Sequence, residues 1–286
     1  MDLNEKIFCK TLDDDDNGYD HSLYRNKYSF KNYLKYAEEK PDMEKLFGCY
    51  FQTGEVCLLA GKTGVGKSIL AYQIADGLAR GKSILGQPND TEAQIVLYLD
   101  FELLQGSMKM RFKNYHSPDN FLRPDMTQIL KDFGVNFDFS AISMLVDETG
   151  AAALIVDNIS AVSLKTLADA DQALKLVKWA KYLQSSREIS ILLIAHTPKL
   201  RETREFNIYD IAGSSQIHNF IDSAIILCQS SKDFSRRYIK SVKNRNCEGY
   251  NKVMEIEINS QDWLHFDFVG WVEESELISL IRLNLK

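Results

Sequence analysis

The stretch "AGKTGVGKSILAYQIADGL", Ala60 to Leu78, sets a glycine, four residues and then Gly-Lys-Ser between an apolar run and a helical one. Few chain layouts accommodate that order. Gly61, Gly64 and Gly66 allow backbone turns that a side chain would forbid. The loop formed by Gly61, Lys62, Thr63, Gly64, Val65, Gly66, Lys67, Ser68 and Ile69 can then curl around phosphate oxygens. Lys67 would place its cation on the β and γ phosphates of a nucleotide, and Ser68 would offer a hydroxyl to Mg²⁺. The flanks fit the same reading. "EVCLLA" before the loop reads as a short buried strand, and "SILAYQIADGLARG" after it reads as a helix. A strand, a glycine-rich loop and a helix N-terminus together make a phosphate site.

Downstream of the loop, apolar runs alternate with helical stretches. Strands are expected at 55–60, 95–100, 153–157 and 189–195, with helices near 68–79, 104–115, 138–147 and 170–186. Strands that are apolar throughout point to a mostly parallel sheet flanked by helices on both faces, an α/β fold. Three later runs, 223–229, 237–244 and 252–259, have short connections and predict an antiparallel C-terminal extension of that sheet. Residues 1–45 are polar, tyrosine-rich and charged, and read as an N-terminal arm with a helix from Phe30 to Glu39. The core is expected over 46–268, and a helical tail over 269–286.

Composition narrows the function classes. Net charge is -6 over 286 residues, so the chain as a whole is not a basic coat for nucleic acid, and any such contact needs a local basic patch. The five cysteines, Cys9, Cys49, Cys57, Cys228 and Cys247, form no C-x-x-C pair, which predicts free thiols in a reducing cytoplasm. No apolar run is long enough to span a bilayer, and "MDLNEKIF" has no leader pattern, so no membrane partner is expected. "DDDDNGYD" matches the first half of a calcium loop through Asp13, Asp15, Asn17 and Gly18. It fails at Asp20 and at Tyr24, where a bidentate Glu belongs.

Hydrolysis needs more than a phosphate loop. Asp157, closing the apolar run "ALIVD", is the expected magnesium anchor with Ser68. The next residue is Asn158 rather than Glu, so the base must lie elsewhere. "VLYLDFEL" offers Asp100 and Glu102, two apart and on one face if the strand continues, with Glu102 the candidate for activating water. His196, just past "ILLIA", is placed to read the γ-phosphate, and Lys243 and Arg245 share one side of a strand as charge-stabilising cations for a neighbouring copy.

Taken together, these motifs resemble the RecA-like ATPase core, and within it the RepA-type helicases of plasmids and mobile elements. "GKTGVGKS" matches Walker A, and "LIVDNIS" matches Walker B through Asp157. "IVLYLDFE" resembles the strand bearing the catalytic glutamate, here Glu102, and "IAHTPK" the motif with a phosphate-sensing histidine, here His196. "IAGSSQIHNFIDSAIIL" resembles the stretch after the second channel loop and puts Gln216 at a sensor position, and "SVKNR" resembles the Lys-x-Arg finger of DnaB-like rings. The resemblance spans about 46–268. It departs at Asp222, where RepA-type proteins can carry arginine, so Arg245 has to be the finger. It implies ATP and Mg²⁺ as ligands, a ring-shaped homo-oligomer, usually a hexamer, and single-stranded DNA in the channel. It also implies partners among replication or mobile-element proteins. Channel loop one would follow Asp157 from Ser160 to Asp169. Channel loop two would carry Lys199, Arg201 and Arg204, a local basic ring once several copies assemble. The rival reading is a nucleotide-dependent assembly switch that recruits protein partners without unwinding DNA.

Overall fold

The computed structural model describes residues 25–103, 105–134, 138–159, 170–197, 205–210 and 219–278. It divides into two units, 1–42 and 43–286. In the first, helix α1 (Phe30–Glu38) starts where the Ser29 hydroxyl accepts the Asn32 amide, and it buries none of its residues.

The second unit is built on a nine-stranded sheet. Its strands are β3 (Val56–Gly61), β4 (Val96–Asp100), β5 (Phe121–Leu122), β6 (Ala153–Asp157), β7 (Ser190–His196), β8 (Ser223–Gln229), β9 (Arg236–Asn244), β10 (Val253–Asn259) and β11 (His265–Val272). Their spatial order is β11-β10-β9-β8-β3-β7-β6-β4-β5. From β8 to β5 every pairing is parallel, and from β8 to β11 every pairing is antiparallel. Every residue of β3, β4 and β6 is buried, as is all of β7 and β8 except the last residue of each. Continuous apolar runs of this kind fit a sheet covered on both faces. In β9–β11 buried and partly exposed positions mix, since one flank of that extension meets solvent.

Helices α2 (Lys67–Arg80), α3 (Gln105–Arg111), α4 (Met126–Phe133), α5 (Phe139–Thr149) and α6 (Ala170–Arg187) fill the crossovers. Asp125 caps α4 by accepting the Thr127 amide, and Asp138 caps α5 by accepting those of Ser140 and Ala141. The apolar interior lies in two layers. Leu154, Val156, Ile191 and Leu193 face α5 and α6 on one side of the sheet. Leu59, Ile155, Leu192 and Ile194 face α2 on the other.

Several elements depart from the sequence expectation. A small hairpin of β1 (Lys45–Phe47) and β2 (Phe51–Gln52) precedes the first long strand. Helix α3 stops at Arg111. Strand β11 runs through the boundary expected at 268, and only the short α7 (Glu274–Leu277) follows it among the described residues. Glu274 of α7 is buried. Its carboxylate accepts the Phe206 amide and the Tyr238 hydroxyl, both at 3.2 Å, and the Lys240 ammonium.

The expectation of free thiols is corrected for two of the five cysteines. Cys49, after β1, and Cys247, in the β9–β10 turn, form a disulfide with Cα atoms 5.6 Å apart. They are 198 residues apart in the chain, so only the folded register brings them together. Cys57 and Cys228 are buried free thiols, and Cys9 lies outside the described residues. Among the described residues no helix is long and apolar enough to cross a membrane. The disulfide makes a specific prediction. Cys49→Ser and Cys247→Ser should each lower unfolding free energy by about 2–5 kcal/mol in non-reducing urea titrations. The double variant should lose no more than either single one.

Candidate functional site

The parallel strands end together at one edge of the sheet, and the candidate residues sit on those ends. β3 delivers the loop 61–69 and α2 receives it. Gly66 is the N-cap of α2 at φ 110°. A Cβ there would lie 2.7 Å from the Phe266 ring. Gly61 is as constrained, because a Cβ would come within 2.6 Å of the Leu227 carbonyl oxygen. Only glycine meets both conditions.

Lys67 is buried and turned inward. Its ammonium donates to the carbonyls of Gly61 at 3.0 Å and Lys62 at 2.9 Å, and it lies 3.1 Å from Nδ1 of His196. Burial lowers its pKa, and the nearby carboxylates of Asp157 and Glu102 oppose that shift. A lysine ammonium only donates, so Nδ1 of His196 carries the lone pair and Nε2 the proton. Nε2 then donates to Oε1 of Glu102 at 3.2 Å. Asn158 completes the group. Its Nδ2 donates to the same Glu102 oxygen, which links it to His196 through that shared acceptor; its 2.9 Å approach to Nε2 sets two donors side by side and is not a hydrogen bond in this tautomer. Lys67, His196, Glu102 and Asn158 thus form one connected chain of polar contacts.

Asp157 lies deeper. It accepts the Tyr98 hydroxyl at 2.8 Å and a hydrogen bond from Ser68. Burial pushes its carboxyl pKa up, and the charges of Asp100 and Glu102 add to the rise. A desolvated carboxylate bonded to a hydroxyl is an all-oxygen donor pair of the kind a hard divalent cation takes, with phosphate oxygens filling the other positions. Ser68 and Asp157 therefore fit Mg²⁺. The described residues contain no group of three or more His, Cys, Asp or Glu arranged for a metal.

Asp100 does not share a working face with Glu102. Strand β4 stops at Asp100, whose buried carboxylate accepts the amides of Glu102 and Leu103, the Tyr72 hydroxyl and Arg123 Nη2. It is a cap that sets the turn, and the turn leaves Glu102 exposed toward the cleft. That cleft, about 320 Å³, is lined by Thr63, Gly64, Gly66, Lys67, Ser68, Ile69, Glu102, Leu103, Ser107, Arg111 and His196.

Sequence reading missed Asn158, Arg111 and Arg237 as parts of this site. Asn158 follows the apolar run directly and could have been read as a site residue in its own right. Arg111 carries no local signal beyond its helix. Arg237 Nε donates to the Val65 carbonyl at 3.2 Å, a bond that depends on β9 lying two strands from β3. Lys243 and Arg245 are brought together, but not here. β9 is antiparallel to β8, and Ser223 at the start of β8 pairs with Asn244. The two cations therefore sit at the opposite end of the sheet from the phosphate loop of their own chain. Lys199, Arg201, Arg204 and Gln216, with Ser160 and Asp169, lie outside the described residues.

Comparisons with known proteins agree with this geometry. The chain is 23% identical over 216 residues to the DNA repair protein RadA of Helicobacter pylori, covering 74% of this chain and 42% of that protein. It is 26% identical over 208 residues to the protein of the same name in Chlamydia pneumoniae, covering 71% and 39%. The chain thus spans about two-fifths of these relatives' length. Among solved structures, an isolated ATPase domain superposes with a TM-score of 0.56 at 13% identity, covering 89% of this chain and 100% of that one. A KaiC-like protein from Pyrococcus horikoshii superposes with a TM-score of 0.53 at 18% identity, covering 77% and 91%. Both likenesses confirm a RecA-like fold, with a mostly parallel sheet and an antiparallel extension. A sequence profile of the AAA domain matches residues 28–202, more than half of the chain. The protein therefore belongs to the AAA domain family, with the fold of a RecA-like phosphate-loop ATPase.

Proposed function

We propose that this chain hydrolyses ATP as one subunit of a ring-forming motor on single-stranded DNA, a RepA-like helicase of the kind used in plasmid or mobile-element replication. One observation carries the reading. Lys67, Ser68, Glu102 and His196 line one cleft, with Asp157 buried beneath it and bonded to Ser68, whereas Lys243 and Arg245 stand at the far end of the same sheet. A site split this way is completed only between two copies. The relatives' naming as DNA repair proteins supports DNA as the track. The basic segment with Lys199, Arg201 and Arg204, which starts just beyond His196, supports it too. The motif resemblance supports a hexameric ring and the replication context.

The proposed roles build on this geometry. The loop amides and Lys67 hold the β and γ phosphates. Ser68 and Asp157 would hold Mg²⁺, which screens phosphate charge when bound. Glu102 accepts a proton from water as the water oxygen bonds to the γ-phosphorus. The bond from that phosphorus to the bridging oxygen breaks, and ADP leaves with the electron pair. His196 and Asn158 orient the Glu102 carboxylate, and His196 exchanges its Lys67 contact when phosphate draws the ammonium away. Lys243 and Arg245 of the adjoining copy stabilise charge on the transferring group.

Three predictions test this. Glu102→Gln should lower kcat by about 100-fold or more while leaving nucleotide affinity close to wild type. Single-stranded DNA should raise the wild-type rate, with the DNA concentration needed climbing steeply as salt rises. Slow turnover that DNA leaves unchanged would favour the assembly switch instead. The third prediction concerns Asp157. Its raised pKa means that ionisation costs stability at neutral pH, and that cost disappears as pH falls through the folded-state value. Asp157→Asn should therefore be more stable than wild type in urea at neutral pH, with the gap closing on acidification. The same variant should lose magnesium-dependent nucleotide binding.

A further inference from the structure

A second group of charges lies outside the cleft, at the other end of the sheet, around Asp222. This side chain is 7% exposed and sits just before β8. Its Oδ2 accepts the Val56 amide at 2.9 Å and the Lys181 ammonium, and its Oδ1 accepts Arg245 Nη1 at 3.0 Å. Arg245 Nη2 donates to the Asn219 carbonyl at 3.2 Å, and Lys243 donates to the Ile221 carbonyl at 2.8 Å. Four residues, 219–222, therefore hold both cations of the Lys-x-Arg element.

Folding alone does not call for this arrangement. The Val56 amide and Lys181 already give the buried carboxylate a hydrogen bond and a counter-charge. The Arg245 side chain is 49% exposed, and pairs that open to solvent add little stability. Even so, its guanidinium is fixed at two points by separate acceptors, which sets both position and plane. Charge points the same way. Glu55, the other buried acid nearby, is bonded to the Gln52 amide, Ser223 and Asn246. That leaves Asp222 as the acid set among Lys181, Lys243 and Arg245. With Asp222 and Glu55 set against Lys181, Lys243 and Arg245, cations outnumber acids by one in this cluster of described residues.

We propose that Asp222 is a positioning residue for the arginine finger: it holds Arg245 ready to meet the nucleotide of an adjoining copy. The inference rests on the ring-motor reading above. An arginine already ordered loses less freedom when the transition state forms, so Asp222 acts on kcat rather than on ATP binding.

Inter-subunit complementation separates this from a structural role. ATP hydrolysis by the full chain is measured for Asp222→Asn, Arg245→Lys, Arg245→Ala and Lys67→Ala, alone and mixed in equal amounts before assembly. Asp222→Asn should lower kcat about tenfold with KM for ATP unchanged. Arg245→Lys, which keeps the charge but loses the two-point attachment, should behave alike and serves if Asp222→Asn does not fold. Mixing either with Lys67→Ala should restore activity, because the intact phosphate loop of one chain then faces the intact finger of the other. Mixing Asp222→Asn with Arg245→Ala should restore nothing. A kcat that stays level or rises in Asp222→Asn overturns the proposal, as does a loss that Lys67→Ala cannot rescue. If Arg245→Ala and Lys67→Ala fail to complement each other, the trans-finger reading falls first. If they succeed where Asp222→Asn fails, only the role of Asp222 falls.

Discussion

A buried ammonium with no carboxylate bonded to it among the described residues organises this molecule. Lys67 rests on two loop carbonyls and the lone pair of an imidazole, all weaker partners than an anion. Each neighbour that makes this possible comes from a different strand end. β3 and the loop supply the carbonyls, β7 supplies His196, and Glu102 follows β4. The parallel register of β3 with β7, which pairs Gly61 with His196, is therefore a chemical requirement as well as a packing one. A phosphate arriving in the cleft offers Lys67 direct anionic acceptors in place of two carbonyls and an imidazole, and that exchange reaches His196 and Glu102 through direct contacts.

Two aspartates show how surroundings divide the work. Asp100 and Asp157 are register partners at the ends of adjacent strands. Asp100 receives two backbone amides, a hydroxyl and a guanidinium, so its charge is met within the chain. Asp157 receives two hydroxyls and stays desolvated. One side chain fixes a turn, and the other, bonded to hydroxyls and near the Lys67 ammonium, is the carboxylate that the proposed Mg²⁺ site would use. The pair lies side by side, and only the first is a structural cap.

The sequence made these strands legible because they are buried on both faces and apolar throughout. The phosphate loop was legible because its glycines answer to local sterics. Features that depend on register between distant strands were not. The β1–β2 hairpin is too short to show a period, and β11 mixes exposed Phe268 and Val269 with buried Phe266, which hides its alternation. The Cys49–Cys247 pair, the Arg237 contact with Val65, and the hold of Asp222 on Arg245 each join segments more than twenty residues apart. No spacing rule encodes such contacts. The placement of Asp100 failed for a related reason: two carboxylates two apart share a face only while the strand continues, and here it ends.

Strand β9 links the two halves of the chemistry. At one end Arg237 reaches the phosphate loop of its own chain, and just past the other end Arg245 lies against Asp222. Nine residues of extended chain separate these ends by about 27 Å. Over that length β9 is bonded to β8 on one side and, for part of it, to β10 on the other, with Tyr238 and Ile239 fully buried. A strand held this way moves as a unit with its neighbours rather than bending locally. In the proposed ring, each β9 would touch the nucleotide loop of its own subunit at one end and the nucleotide of the next at the other. There, a shift of the loop when ATP binds or leaves would displace the finger serving the adjacent site, with no separate relay needed. In that proposed ring the antiparallel extension of the sheet would be the physical connection between successive sites.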